Sequence, residues 1–109
     1  MSKFDSLQGS LDVLVLKILS RHPKSHGYAI MTAIKDSSGE VLSAEEGSLY
    51  PALHRMEEAG WVRGEWIKKD SGRRARVYEL TVAGKKQLIQ EESRWQTVTS
   101  AVNRVLRTV

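Results

Sequence analysis

Apolar side chains recur along this chain with two different periods, and the change from one to the other falls at Gly60. Leu7, Leu11, Leu14 and Ile18 stand at helical spacing, with Gly9-Ser10 near the start and Pro23 just past the end, which predicts a first helix. Val13, Val15 and Leu16 make its other faces apolar too, so it should be covered on two sides. Between Ser25 and Gly39, the residues Ile30, Met31, Ala33 and Ile34 form the stripe of a second helix, with Gly39 as its stop. A short turn, Glu40 to Glu45, leads to a third. There Leu49, Ala52, Leu53 and Met56 share one face, while Gly47, Pro51, His54 and Glu58 occupy the other, flanked by Ser48, Tyr50 and Arg55. Proline in a helix interior loses a hydrogen bond and clashes backward. Pro51 therefore predicts a helix that starts only two or three residues earlier, with Ser48 or its neighbour as the N-cap.

After Gly60 the pattern alternates. Trp61, Val62, Trp66 and Ile67, then Val77, Tyr78 and Leu80, predict two strands joined through Asp70-Ser71-Gly72-Arg73-Arg74. Thr81 is a natural N-cap for a last helix. Within it Leu88, Trp95, Val102 and Val109 repeat every seven residues, with Val98 and Val105 at the intermediate seam position and Glu91 interrupting once. A seam this short needs a partner to be stable. Three helices, a hairpin and a helix predict a mainly α (α+β) chain: a winged helix-turn-helix with a two-stranded β-wing. The expected division is a DNA-binding unit at 1–80 and a dimerisation helix at 81–109.

Charge sharpens this picture. The chain of 109 residues carries a net +4. Arg63, Lys68, Lys69, Arg73, Arg74 and Arg76 oppose only Glu65 and Asp70, so this one stretch equals the whole excess. Concentrated positive charge favours a polyanion. Lys68, Lys69, Arg73 and Arg74 are expected on phosphate, whereas Arg76 has Glu65 across the hairpin as an alternative partner. If a dimer neutralises about six phosphates, log K falls with log salt at a slope of roughly −5. On the third helix Tyr50 and His54 are candidate DNA contacts, and the low outer face at Gly47 and Pro51 lets backbone approach a groove floor. Glu57 and Glu58 read as solvated charges. The pair Glu45-Glu46 suits a helix N-terminus but repels phosphate.

Other chemistry is excluded. There is no cysteine, hence no disulfide and no thiolate site. No run approaches the length of a membrane span, and Met1 to Asp5 lack a signal-peptide pattern, so a cytoplasmic protein is expected. His22 and His26 are four apart, but Pro23 and Gly27 interrupt a helix there and no further ligand joins them, so no metal site is expected. Neither a nucleophile elbow nor a phosphate loop is present, which argues against an enzyme and against a cofactor.

The segments His26-Gly27-Tyr28-Ala29-Ile30, Gly47-Ser48-Leu49-Tyr50-Pro51-Ala52-Leu53, Met56-Glu57-Glu58-Ala59-Gly60-Trp61-Val62 and Arg74-Ala75-Arg76-Val77-Tyr78-Glu79-Leu80-Thr81 resemble the PadR-like bacterial transcriptional regulators. So do the leucine-rich stretch Leu11 to Leu19 and Gly84. The resemblance spans residues 7 to 90, and the short tail is similar to the subgroup with a single C-terminal helix. It implies a homodimer on a pseudo-palindromic double-stranded operator, usually a repressor, with many members responding to small aromatic or toxic compounds. It implies DNA contacts at Tyr28, Ser48, Tyr50 and the wing cations, to which the helix face adds Pro51, His54 and Arg55. A two-fold contact is expected through Leu11, Leu88, Trp95, Val98, Val102 and Val105. Trp95 is simplest as a packing residue, yet two such indoles flanking a gap would stack a flat apolar effector. The competing reading is a winged module whose basic hairpin docks an acidic protein; an RNA-binding winged domain shares the same charge pattern.

Overall fold

The computed structural model describes residues 10–108. Leu7, Gly9 and Val109, and the start at Met1 to Asp5, lie outside the described residues. The element order is α1 (Leu11–Arg21), β1 (Ser25–His26), α2 (Gly27–Ser37), α3 (Glu46–Glu58), β2 (Val62–Lys68), β3 (Arg74–Leu80) and α4 (Val82–Arg107). The strands form one antiparallel sheet in the order β1-β3-β2. The hairpin is the expected wing, but β1 has no counterpart in the hydrophobic pattern. Ser25 and His26 pair with Tyr78 and Val77 instead of opening the second helix. His26 then caps α2, its Nδ1 accepting the N–H of Ala29 at 3.3 Å.

The core gathers the predicted stripes. Val15, Leu16, Leu19, Ile30, Leu49, Leu53 and Met56 are fully buried, and α1 is enclosed by α2, α3, β3 and α4. Its second apolar side is therefore covered within the chain, largely by α4. Leu11 and Leu88, expected at a contact between two copies, both belong to this internal core. Lys17 of α1 and Glu92 of α4 close the packing at the surface with an ion pair at 3.3 Å.

The two ends of α3 compare differently with expectation. It stops where predicted: Gly60 adopts φ +82, the N–H of Trp61 reaches the carbonyl of Met56 at 2.9 Å, and that of Gly60 reaches Glu57 at 3.1 Å. This double closure satisfies carbonyls that would otherwise be orphaned, and it needs a residue at ease with positive φ. The start is different. Its N-cap is Glu45, not Ser48, and Pro51 lies inside the helix. The N–H groups of Ser48 and Leu49 both reach the Glu45 carbonyl, at 3.0 and 2.8 Å, so the first turn is closed before the proline. The group that loses its partner to Pro51 is the carbonyl of Gly47, a residue on the solvated side where water can serve it.

α4 begins where α3 ends. Thr81 donates its hydroxyl toward the carbonyls of Gly60, at 2.6 Å, and Trp61, at 3.0 Å, while accepting the N–H of Gly84. A Cβ at Gly84 would stand 2.0 Å from the Trp61 carbonyl oxygen, so only glycine lets the helix pass this close. No helix among the described residues is long and apolar enough to cross a membrane.

Candidate nucleic-acid interface

α3 buries Leu49, Ala52, Leu53 and Met56 and turns Gly47, Pro51, His54 and Glu58 to solvent. The exposed face is low at its leading end, with Gly47, Ser48 and Pro51. Its two flanks are tied to different elements. On one, Arg55 meets Asp12 of α1 at 2.5 Å. Arg55 is thus set apart from the other expected DNA contacts, engaged by a carboxylate on the side of α1. On the other flank the Tyr50 ring lies over Gly27 at the start of α2, leaving no room there for a side chain. Tyr28, on the first turn of α2, is 69% exposed. His54 stands 3.4 Å from Glu58 on the outer face.

The wing turn is built by backbone. The N–H of Gly72 reaches the Lys69 carbonyl at 2.8 Å, that of Lys69 reaches Arg73 at 2.7 Å, and Gly72 takes φ +89. This is the type I turn with a left-handed residue that closes a short hairpin and twists it. It places Arg74 at the start of β3, not in the tip, opposite Lys68.

The six wing cations separate into two kinds. Lys68, Lys69, Arg73 and Arg74 are exposed and form no ion pair among the described residues. Arg74 rests over the Trp66 ring, 5.0 Å from its centre, which accounts for a tryptophan that is otherwise solvent-exposed. Arg63 is engaged by Glu79: the contact holds the Glu79 carboxyl below the usual carboxylate range and raises the guanidinium above its own. Arg76 pairs with Glu57 at 2.5 Å and not with Glu65, because the register sets Arg76 opposite Trp66 and places Glu65 opposite Val77. Glu65 instead faces Lys24 at 3.4 Å. Glu57, expected as a solvated charge, is half-buried, a partner that sequence inspection missed because it depends on the hairpin register.

On α4 the stripe Trp95, Val98, Val102 and Val105 stays open, Trp95 being 46% exposed. Glu91, which interrupts the seam, is turned to Arg94 at 2.9 Å. Glu91, Arg94, Trp95 and Val98 line a shallow depression. Among the described residues no group of three or more metal-ligating side chains converges.

A helix pair with an exposed second member, followed by a hairpin carrying exposed cations, defines a winged helix-turn-helix DNA-binding domain. The chain belongs to the transcriptional regulator PadR-like family, whose model matches residues 15–90. Regulators of this family bind DNA, typically act as dimers and are regulatory proteins, not enzymes. Solved structures agree. A transcriptional regulator from Clostridium thermocellum is 26% identical with a TM-score of 0.82, over 90% of this chain and 94% of its own. A PadR-like regulator from Bacillus cereus is 28% identical, TM-score 0.76, over 94% and 97%. A PadR family regulator from Clostridium difficile is 31% identical, TM-score 0.73, over 88% and 97%. No functionally curated protein matches the chain.

Proposed function

We propose that this regulator is a cytoplasmic homodimeric repressor of a pseudo-palindromic operator, relieved by a small, flat, apolar effector. In this reading residues 1–80 read DNA and residues 81–109 join two copies. The observation that carries it is the adjacency of a low, solvent-facing α3 and a wing with four exposed cations that form no ion pair among the described residues. α3 enters the major groove with Ser48, Tyr50, Pro51 and His54 toward base edges and backbone, and Tyr28 beside them. Lys68, Lys69, Arg73 and Arg74 supply phosphate affinity. The open stripe at Trp95, Val98, Val102 and Val105 receives the second copy, and Leu11 and Leu88 act from behind as core support. Two recognition helices then stand about one duplex turn apart, roughly 34 Å. A compound stacked at Trp95 alters that separation.

Selection of genomic fragments with the purified protein tests the reading. It expects an inverted repeat, and Val98→Asp/Val102→Asp should sediment as monomer and lose the repeat. Recovery of no preferred duplex, or a monomeric wild type at working concentrations, overturns it. Effector relief is tested by quenching of tryptophan emission compared with Trp95→Phe, since Trp61 and Trp66 also emit.

A further inference from the structure

Arg76 lies in the basic wing, yet its guanidinium faces inward. It bonds Glu57 Oε2 at 2.5 Å, and the two side chains are only 28% and 29% exposed. It lies flat against Gly64, where a methyl group would come within 2.8 Å of it. The rings of Trp66 and Tyr78 flank it at 5.4 and 5.9 Å. Burial pushes the Tyr78 hydroxyl up, so the phenol stays neutral beside the pair. Glu57 stands in the last turn of α3, and Arg76 stands where the ribbon leaves the sheet. β1 pairs with Val77 and Tyr78 and reaches no further, so from Arg76 outward the wing is two strands alone.

Two strands alone hold their direction poorly. From Arg76 to Gly72 the ribbon extends about 13 Å, so a swing of about 10° at its root moves the tip by about 2 Å. That carries a cation out of hydrogen-bond reach of a phosphate.

We infer that Arg76 and Glu57 form a strut that fixes the angle of the wing against the recognition helix. Both are positioning residues for DNA reading, and Arg76 is not itself a phosphate contact. The inference deepens the proposed function and rests on it. Its sign opposes simple charge counting: deleting an acid from a DNA-facing surface should strengthen binding, whereas deleting Glu57 from a strut weakens it.

The test uses Glu57→Gln, Arg76→Gln and the double variant in the full chain. Without DNA, amide hydrogen exchange should quicken at the wing residues beyond the Trp66–Arg76 pair in every variant, with α1 and α3 as protected as in the wild type. Wing protection unchanged in both single variants overturns the inference, whatever duplex binds. Failure of the wild type to bind any duplex sinks the DNA-reading proposal instead, while the exchange rates still decide whether the strut exists. On the duplex recovered by selection, each single variant should bind about tenfold more weakly, the double no more weakly than either, with the salt slope unchanged. Tighter binding by Glu57→Gln, or a slope shallower by about 2 in Arg76→Gln, places these charges on the DNA surface and also overturns it.

Discussion

Replacing Lys69 and Arg73 by glutamine removes two exposed cations from each wing tip and leaves the Arg74–Trp66 stack and the Arg76–Glu57 pair in place. The turn should persist, because its closing bonds run between backbone groups of Lys69, Gly72 and Arg73. Each neutralised phosphate adds about −0.9 to the slope of log K against log salt. With about six phosphates neutralised, the proposed dimer should show a slope of roughly −5 and lose about 1,000-fold in affinity between about 50 and 200 mM salt. Two cations on each of two subunits account for about four of those phosphates, so the variant's slope should relax to about −2 and the same salt change should cost only about tenfold. Fluorescence anisotropy with a labelled duplex across a salt series reads this directly. Arg63→Gln is the internal control: its guanidinium is already engaged by Glu79, and its slope should match the wild type. A wild-type slope near zero, a double variant as steep as the wild type, or an Arg63 variant as shallow as the double each refutes the division of wing cations.

Other outcomes follow from the packing. Gly84→Ala should destabilise the fold by about 2–3 kcal/mol in urea titration, although alanine at an exposed helix position normally gains about 1, because its methyl meets the Trp61 carbonyl; an unchanged midpoint refutes that contact. Leu53→Ala, at a fully buried site, should cost about 2–5 kcal/mol by the same assay, and a loss below about 1 would mean that the α3 core face has been misplaced. The Glu79 carboxyl should titrate below an ordinary glutamate by carbon NMR and return upward in Arg63→Gln. Since its folded pKa is depressed, the pair's contribution is present at neutral pH and fades as pH falls through that depressed value. An unshifted Glu79 resonance would mean the ion pair does not persist in solution.

Much of this architecture was legible in the residues because local physics decided it. Gly60 ends α3 because only a residue at ease with positive φ closes the last turn there, and Thr81 caps α4 with the hydroxyl that its type supplies. Pro51 misled the start of α3 because proline favours a first turn, yet here the turn was already closed on Glu45. β1 left no periodic trace: two residues cannot alternate, and their pairing with Tyr78 and Val77 is long-range. At the candidate site, the basic stretch was visible as a block of charge. Its separation into ion-pair-free and engaged cations was not, because Glu57 and Glu79 become partners only through hairpin register and the approach of α3. Leu88 sits on the heptad that marks the expected dimer seam and Leu11 on the first helix beside it, yet α4 folds back on α1 and packs both into the core of the single chain.

The joint at Thr81 gives the chain no slack. The tail is hinged on the two carbonyls where the reading head stops, and Gly84 admits nothing between them. One residue inserted between Leu80 and Gly84 would turn the rest of the tail by about 100° about its axis. In the proposed dimer the valine edge would then look away from its mate, and the phase of the two proposed half-sites would be lost with every side chain of α3 still in place.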